Sequence, residues 1–166
     1  AVACAAGNDA LLMALASCDV GPGDAIFTTP FTDAAIVFVI RLFGATPIFV
    51  DIDQSTFNLD PEQLAQAIEA LAKKDASIYP LPTGAPLSKL IPKGIVSADL
   101  FGLPADYDAI RAIAQRHGLF VIEDGSQAFG AEYHGRCVGS LADVGVMSFS
   151  SEMSLGSEAG GGMCLT

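Results

Sequence analysis

The stretch AIFTTPFTDAAIVFVIRLFGATPIFVDI, residues 25–52, places two short β-branched runs on either side of one longer apolar stretch. Short runs of this kind, bounded by Gly, Pro and Asp, are typical of strands, and the stretch between them has the length of a helix. We predict a strand at 25–28, a helix at about 32–43 and a strand at 46–52, with Gly44 in the left-handed conformation that ends a helix. The two strands of such a β-α-β unit are parallel, so the stretch predicts an α/β domain.

The same alternation extends over the rest of the chain, which we expect to form one domain over residues 1–166. Asp60 is expected to cap a helix that has Pro61 at its first position. Residues 72–93 contain four prolines and no sustained period, which predicts a surface excursion. The other predicted strands and helices are, in chain order, a strand at about 2–4, a helix to about 17, a strand at 94–100, a helix at 105–118 and strands at 119–124 and 144–150.

The charge and the cysteines limit the classes of partner. Eight basic and nineteen acidic residues give a net charge of −11, which repels phosphate backbones and anionic lipid headgroups. No apolar run reaches the roughly 20 residues that a membrane helix needs. The four cysteines are scattered without a C-x-x-C pair or a companion histidine, so we expect reduced thiols and no metal site. These features favour a cytoplasmic protein that binds neither nucleic acid nor a membrane.

Polar residues follow three of the predicted strands, at the sheet edge where α/β proteins bind ligands. They are Gly7-Asn8, Glu123-Asp124 with Gln127, and Ser148 with the loop beyond it. Gly7-Asn8 is either a phosphate-binding helix start or an ordinary turn with an Asn or Asp cap. Asp124 either caps a turn or points into a ligand crevice. A metal bound by the acids is disfavoured, because no histidine lies beside them in the sequence.

Five blocks of sequence, in this order, carry a family resemblance. They are CAAGNDALLMAL (4–15), GPGDAI (21–26), GATPIFVDIDQSTFNLDP (44–61), DLFGLPADYDAI (99–110) and the run from AQRHGLFVIEDGSQ to VGVMSFS (114–150). Together they resemble the large domain of the DegT/DnrJ/EryC1/StrS family of pyridoxal-phosphate-dependent sugar aminotransferases. The resemblance implies a three-layer α/β/α sandwich around a mostly parallel sheet, related to the aspartate aminotransferase fold, without the family's small C-terminal domain.

The resemblance also implies roles for the polar strand ends. Asp124 would pair with the pyridine nitrogen of the cofactor and keep it protonated. Gln127 would contact the ring hydroxyl, and Ser148 with the Gly7-Asn8 turn would bind the phosphate. The implied substrate is a nucleotide sugar, and the implied full-length form is a homodimer.

Two departures from the family pattern affect the expected chemistry. Alignment of FSSEMSLGSEAGGG with the family puts Met153 at the position of the lysine that forms a Schiff base with the cofactor, and no lysine follows Lys93. A thioether can neither hold the cofactor covalently nor move a proton, so we expect non-covalent binding, if any, and impaired transamination. Asp33 falls where the family places an aromatic ring that stacks on the cofactor, so the affinity should fall.

Two further functions stay open at this point. One is a non-catalytic paralogue, a pseudoenzyme that binds pyridoxal phosphate or serves as a scaffold for an active subunit. The other is a lysine-independent sugar dehydratase, although relatives of that kind use histidine where this chain has Met153. Both ends of the chain resemble interior positions of the family, so we expect a fragment or a truncated gene product.

Overall fold

The computed structural model describes residues 1–166 as four α-helices and nine β-strands. The helices are α1 (Gly7–Ser17), α2 (Ala34–Leu42), α3 (Pro61–Lys73) and α4 (Tyr107–His117). The strands are β1 (Val2–Cys4), β2 (Asp24–Thr28), β3 (Thr46–Phe49), β4 (Ile91–Ala98), β5 (Phe120–Asp124), β6 (Glu132–Tyr133), β7 (Arg136–Cys137), β8 (Val144–Ser148) and β9 (Gly162–Leu165). None of the helices has the length and apolarity that a membrane span requires.

Seven of the strands form one sheet in the order β1-β9-β8-β5-β4-β2-β3. The four pairs from β8 to β3 are parallel, whereas β9 is antiparallel to both β8 and β1. The predicted mostly parallel sheet is therefore confirmed. Since β9 reverses direction between its neighbours, β1, β8, β5, β4 and β2 all end at the same edge of the sheet.

The helices cover both faces of this sheet. One buried cluster joins α1 and α2 to the sheet through Leu15 and Ile40, and a second joins α3 and α4 through Ile68 and Ile110. Neighbouring residues of a strand point to opposite faces, so adjacent positions of β4 fall in different clusters. The result is the predicted three-layer α/β/α sandwich.

Capping interactions fix the ends of the helices. The Asp60 carboxylate accepts hydrogen bonds from the backbone N–H groups of Glu62 and Gln63 at the start of α3, as predicted. Beyond the end of α2, Gly44 has a φ of +74°, the left-handed conformation that the sequence predicted there. These local signals set the direction in which each strand enters the sheet.

The Pro-rich segment is shorter than predicted, and part of it packs against the core. Helix α3 continues to Lys73 and strand β4 begins at Ile91, so the irregular part covers 74–90. Leu81 lies in the core, and the Tyr79 hydroxyl accepts a hydrogen bond of 2.9 Å from the Asp51 N–H. The Val50 N–H still bonds to the Thr28 carbonyl of β2, but the next N–H, that of Asp51, bonds to Tyr79 instead of to the sheet, and the strand ends at Phe49 instead of at residue 52.

Candidate functional site

Four loops at the carboxyl ends of the parallel strands enclose a cavity of about 860 Å³. Its walls come from Pro30–Asp33 after β2, Leu100–Gly102 after β4, Gln127 after β5 and Glu152–Ser154 after β8. The parallel direction of these strands brings the loops together, although they are far apart in the sequence. This is the edge at which open α/β sheets bind their ligands.

Three of the predicted site residues line this cavity: Asp33, Gln127 and Met153. The Ser154 hydroxyl donates a 2.7 Å hydrogen bond to the carbonyl of Gln127, which ties the loop that carries Met153 to the end of β5. The side-chain carbonyl of Gln127 accepts from the Phe101 N–H at 3.2 Å. Gln127 therefore has its amide NH₂ free to donate into the cavity.

A separate cradle forms where helix α1 begins. The N-cap is Ala6, with no side-chain hydrogen bond, and its carbonyl accepts from the N–H groups of Asp9 and Ala10. The N–H groups of Gly7 and Asn8 have no acceptor within the chain. The alternative of a turn capped by an Asn or Asp side chain is therefore wrong, since both such residues lie inside the helix. Exposed N–H groups at a helix start bind anions.

Ser148, at the end of β8, forms the other side of this cradle. A Cβ placed on Gly7 would lie only 2.5 Å from the Cβ of Ser148 and 2.9 Å from its hydroxyl oxygen. The hydroxyl of Ser148 accepts only a long 3.5 Å contact from the Ser150 N–H, so its proton is free to donate. The two sequence-predicted phosphate contacts are thus adjacent in space.

Asp124 is connected to this cradle through Ser126. One oxygen of Asp124 accepts from the hydroxyl of Ser126 at 2.5 Å and from its N–H at 3.1 Å, and the same hydroxyl accepts from the Ser148 N–H at 2.9 Å. The second carboxylate oxygen of Asp124 has no partner in the chain. Asp124 therefore caps a turn with one oxygen, as the first alternative drawn from the sequence predicted. That it points into a ligand crevice stays a prediction, since Asp124 is not among the residues that line the cavity.

The pKa of Asp124 lies above its ordinary value. Burial is the main cause, the hydrogen bonds from Ser126 oppose it, and the negative charge of Asp33 raises it further. Asp33 itself is exposed, and its carboxylate caps helix α2 by accepting from the Ala35 N–H at 2.9 Å. A cation beside Asp124 would offset the cost of holding its charge in this environment.

Two further acids lie in the interior behind this site. Glu123 was singled out from the sequence as a strand-end acid, whereas Asp99 and the burial of both residues were missed. Asp99 and Glu123 are both fully buried. The pKa of Asp99 is raised to about 8, chiefly by burial and in addition by the nearby carboxylates of Glu123 and Asp124. Asp99 accepts from the Tyr107 hydroxyl at 2.9 Å, and Glu123 accepts from the N–H groups of the Gly139 turn. Glu123 and Asp124 are neighbours at the end of an apolar strand, and neighbouring strand residues point to opposite faces. This order indicates that the two acids face different sides of the sheet.

Three phenylalanine rings at the mouth of the cavity were also missed. Phe31, Phe57 and Phe101 stand 5.9 to 6.3 Å apart, centroid to centroid, and all three are exposed. Phe31 and Phe101 belong to the cavity wall. Position 33 thus lacks the family's stacking ring, but aromatic rings from two other loop positions border the same cavity.

These features fit a phosphorylated pyridine cofactor in all but one respect. The free N–H groups of the Gly7 cradle suit its phosphate, and the unpaired oxygen of Asp124 suits a protonated ring nitrogen. The cavity wall contains no lysine, arginine or histidine, so it offers no amine for a covalent bond. The structure contains no group of three or more His, Cys, Asp or Glu side chains that could hold a metal ion.

Comparison with known proteins agrees with this geometry. The model of the DegT/DnrJ/EryC1/StrS aminotransferase family matches residues 1–166. A pleiotropic regulatory protein of Geobacillus stearothermophilus is 42% identical over 99% of this chain and 39% of its own length. The UDP-N-acetyl-3-dehydro-alpha-D-glucosamine 3-aminotransferase of Acidithiobacillus ferrooxidans is 39% identical over the same shares of the two chains.

A solved structure shows the same fold. The crystal structure of a DegT DnrJ EryC1 StrS aminotransferase from Brucella abortus superimposes with a TM-score of 0.89 and 42% identity. The superposition covers 99% of this chain and 41% of that one. The present chain therefore spans about two fifths of the length of each of these proteins.

Proposed function

The chain belongs to the DegT/DnrJ/EryC1/StrS aminotransferase family, and we propose that it forms the cofactor-binding part of a nucleotide-sugar aminotransferase whose transamination is impaired. The proposed cofactor is pyridoxal 5′-phosphate, held without a covalent bond. The reaction type is transfer of an amino group from an amino acid to a keto-sugar. The proposed cofactor and reaction are those of the whole protein, of which this chain forms the sheet and the loops described above.

One observation carries the proposal. The Ser126 hydroxyl links one oxygen of Asp124 to the backbone N–H of Ser148, and Ser148 lies against Gly7, at the same sheet edge as the cavity that Gln127 lines. Free N–H groups and a carboxylate, close together at one edge of the sheet, are what a phosphorylated pyridine requires. An ordinary turn would not leave both groups without partners.

When bound, pyridoxal phosphate supplies an electron-accepting ring that stabilises negative charge on the substrate carbon. In this chain, Asp124 holds a proton at the ring nitrogen, which strengthens that effect. Gln127 donates its free amide to the ring hydroxyl and orients the ring. The N–H groups of Gly7 and Asn8 with the Ser148 hydroxyl hold the phosphate.

The impairment follows from Met153. In the cavity, this thioether lies in the loop that Ser154 ties to Gln127, where the family alignment places the lysine. Proton transfer by a positioned side chain contributes about 10²–10⁴-fold to rate, and a thioether has no proton to give or take. We therefore expect any turnover to be slower than that of lysine-containing relatives by roughly this factor.

A nucleotide sugar as substrate and a homodimeric assembly are further parts of the proposal. The similar protein of A. ferrooxidans is named for a UDP-linked amino sugar, which supports this substrate class. Homodimerisation of the full-length protein rests on the family resemblance. Size-exclusion chromatography with light scattering on the full-length protein tests the assembly, and a monomer at micromolar concentration would overturn it.

The central experiment is cofactor binding followed by chemical trapping. The protein is titrated with pyridoxal 5′-phosphate, the absorbance change is followed, and borohydride reduction with peptide mapping locates any pyridoxyl group. We expect saturable binding with no specific adduct. Absence of saturable binding would overturn the cofactor proposal. A single stoichiometric adduct on Lys73, Lys74, Lys89 or Lys93 with turnover would overturn the role assigned to Met153.

A second candidate function is a non-catalytic cofactor-binding paralogue that pairs with an active subunit. The lack of any lysine or histidine in the cavity wall favours it, because Met153, at the position of the family lysine, can neither give nor take a proton. The two candidates differ in turnover. Conversion of a keto-sugar nucleotide above the rate without protein supports the impaired enzyme, and its absence with intact cofactor binding supports the paralogue.

A further inference from the structure

The charges in the cavity wall are all of one sign. Two of the lining side chains, Asp33 and Glu152, are carboxylates, and no cationic side chain lines the cavity. Both carboxylates are exposed to the cavity and solvent. Asp33 already interacts unfavourably with Asp124, which it pushes towards protonation. The cavity therefore disfavours an additional negative charge and favours a cationic group.

The cofactor of this family exists in two forms that differ at a single carbon. The pyridoxal form carries a neutral aldehyde, and the pyridoxamine form carries an ammonium group in its place. Their rings, hydroxyls and phosphates are the same. A lysine in the site favours the aldehyde form, because only an aldehyde can bond to it covalently. Met153 removes that advantage from this chain.

Glu152 lies next to Met153 in the same short loop, on the cavity wall. The family lysine, whose position Met153 occupies, meets the carbon at which the two forms of the cofactor differ. A carboxylate beside that carbon is placed to attract the ammonium group of the amine form. Two residues further along, the Ser154 hydroxyl donates to the Gln127 carbonyl, which ties this loop to the segment after β5.

We propose that this cavity selects the amine form, pyridoxamine 5′-phosphate, over pyridoxal 5′-phosphate, with Glu152 as the specificity-determining residue and Asp33 as a secondary contributor. The inference rests on the proposed function, since it assigns a preference to the same site. In this chain two changes, the loss of an amine and the presence of unpaired carboxylates, act in the same direction.

The expected size of the effect is modest, because the carboxylates are exposed. Exposed ion pairs typically change affinity by about two- to five-fold. With two carboxylates near the ligand, we expect the amine form to bind about ten-fold more tightly than a neutral analogue of the same shape. Raising the salt concentration should reduce this ratio.

The test compares ligands that differ only in the group attached at one position of the ring, which is charged in one ligand and neutral in the others. The 166-residue chain is titrated calorimetrically with pyridoxamine 5′-phosphate and with 4-deoxypyridoxine 5′-phosphate, whose methyl group replaces the amine and which cannot react with surface lysines. Pyridoxal 5′-phosphate is the third ligand. We expect the amine to bind most tightly, and we expect Glu152→Gln to lower its advantage over the methyl analogue by about three-fold.

A matched control is available in the same loop. Glu158 is also exposed but does not line the cavity, so Glu158→Gln should leave the ratio unchanged. Circular dichroism of both variants checks the fold, which neither exposed substitution should alter. Equal binding of the amine and methyl ligands, or an equal effect of the two substitutions, would overturn the proposed selectivity while leaving the cofactor site intact. No binding of any of the three ligands would overturn the cofactor site itself, and the selectivity with it.

Discussion

Gly7 and Ser148 approach each other so closely that a Cβ on Gly7 would lie 2.5 Å from the Cβ of Ser148. Gly7 begins helix α1, and Ser148 ends strand β8. The two are adjacent because β1 and β8 point the same way, with β9 antiparallel between them. The cradle that we assign to the phosphate therefore depends on a residue without a side chain.

Replacement of Gly7 by alanine should damage this cradle. The new Cβ would overlap Ser148 and force the helix start away from the end of β8, which typically costs about 1–3 kcal/mol of stability. We expect weaker binding of pyridoxamine 5′-phosphate and a lower free energy of unfolding in urea. Gly21→Ala is the control, since a Cβ there meets nothing within 4 Å. Equal effects of the two substitutions would contradict the close packing of Gly7.

A lysine at position 153 should restore covalent cofactor binding. Met153 is half-buried in the cavity wall, and a lysine there would reach the same space with a reactive amine. We expect Met153→Lys to give one pyridoxyl-lysine at residue 153 after borohydride reduction, together with a new visible absorbance. Leu155→Lys is the control, because Leu155 is exposed in the same loop but does not line the cavity. A stoichiometric adduct in the control alone would show that the alignment at Met153 is wrong.

Asp33 has opposite effects on helix α2 and on the cofactor site, and two substitutions separate them. Asp33→Asn keeps an oxygen that can cap the helix but removes the charge, so the pKa of Asp124 should fall while stability changes little. Asp33→Phe removes the cap, at about 1 kcal/mol, and adds a ring that should tighten pyridoxal 5′-phosphate binding. Carboxyl NMR and urea unfolding measure the two effects. An unchanged Asp124 titration in Asp33→Asn would contradict the proposed charge coupling.

Stability should fall as the pH rises through the range in which Asp99 titrates. Burial raises the pKa of Asp99 from 3.8 to about 8 in the folded chain. Between these values the folded state holds a proton that the unfolded state has lost, so the free energy of unfolding falls as the pH rises from about 4 and levels off above about 8. The slope should be on the order of 1 kcal/mol per pH unit at most. Urea unfolding at several pH values measures it.

The variant Asp99→Asn tests the origin of this slope. It should flatten the pH dependence, leaving a residual slope of the same sign from Glu123 and Asp124, whose pKa values burial also raises. Asp75→Asn is the control. The pKa of Asp75 is lowered by hydrogen bonds from Ser77, so its contribution falls below this pH range. The assignment to Asp99 would fail if the slope survived Asp99→Asn unchanged.

Much of the fold followed from local patterns in the sequence. The β-α-β unit at 25–52, the Asp60 cap and the left-handed Gly44 each depend on a few neighbouring residues, so all three could be predicted. The end of β3 and the limits of the Pro-rich segment could not. They are set by contacts between distant residues, such as the Tyr79 hydroxyl with the Asp51 N–H.

The candidate site, like the fold, could be predicted from the sequence only in part. The residue types of Asp124, Gln127 and Ser148, and the methionine at 153, are visible in the sequence. They indicated the family and led to the prediction that its lysine is missing. That Ser126 links Asp124 to Ser148, and that Asp99 lies buried behind them, depends on which strands pair. No local pattern reports such a pairing.

The sequence by itself thus determined the family and the order of most strands and helices, and it predicted the chemical gap at Met153, since each depends on patterns of neighbouring residues. Only the tertiary structure decided that Asp33, Gln127, Glu152 and Met153 share one cavity, and that Gly7 lies against Ser148. The physical reason is that parallel strands end at a common edge whatever their separation in the chain. Charge balance, burial and pKa at that edge are therefore properties of the assembled sheet.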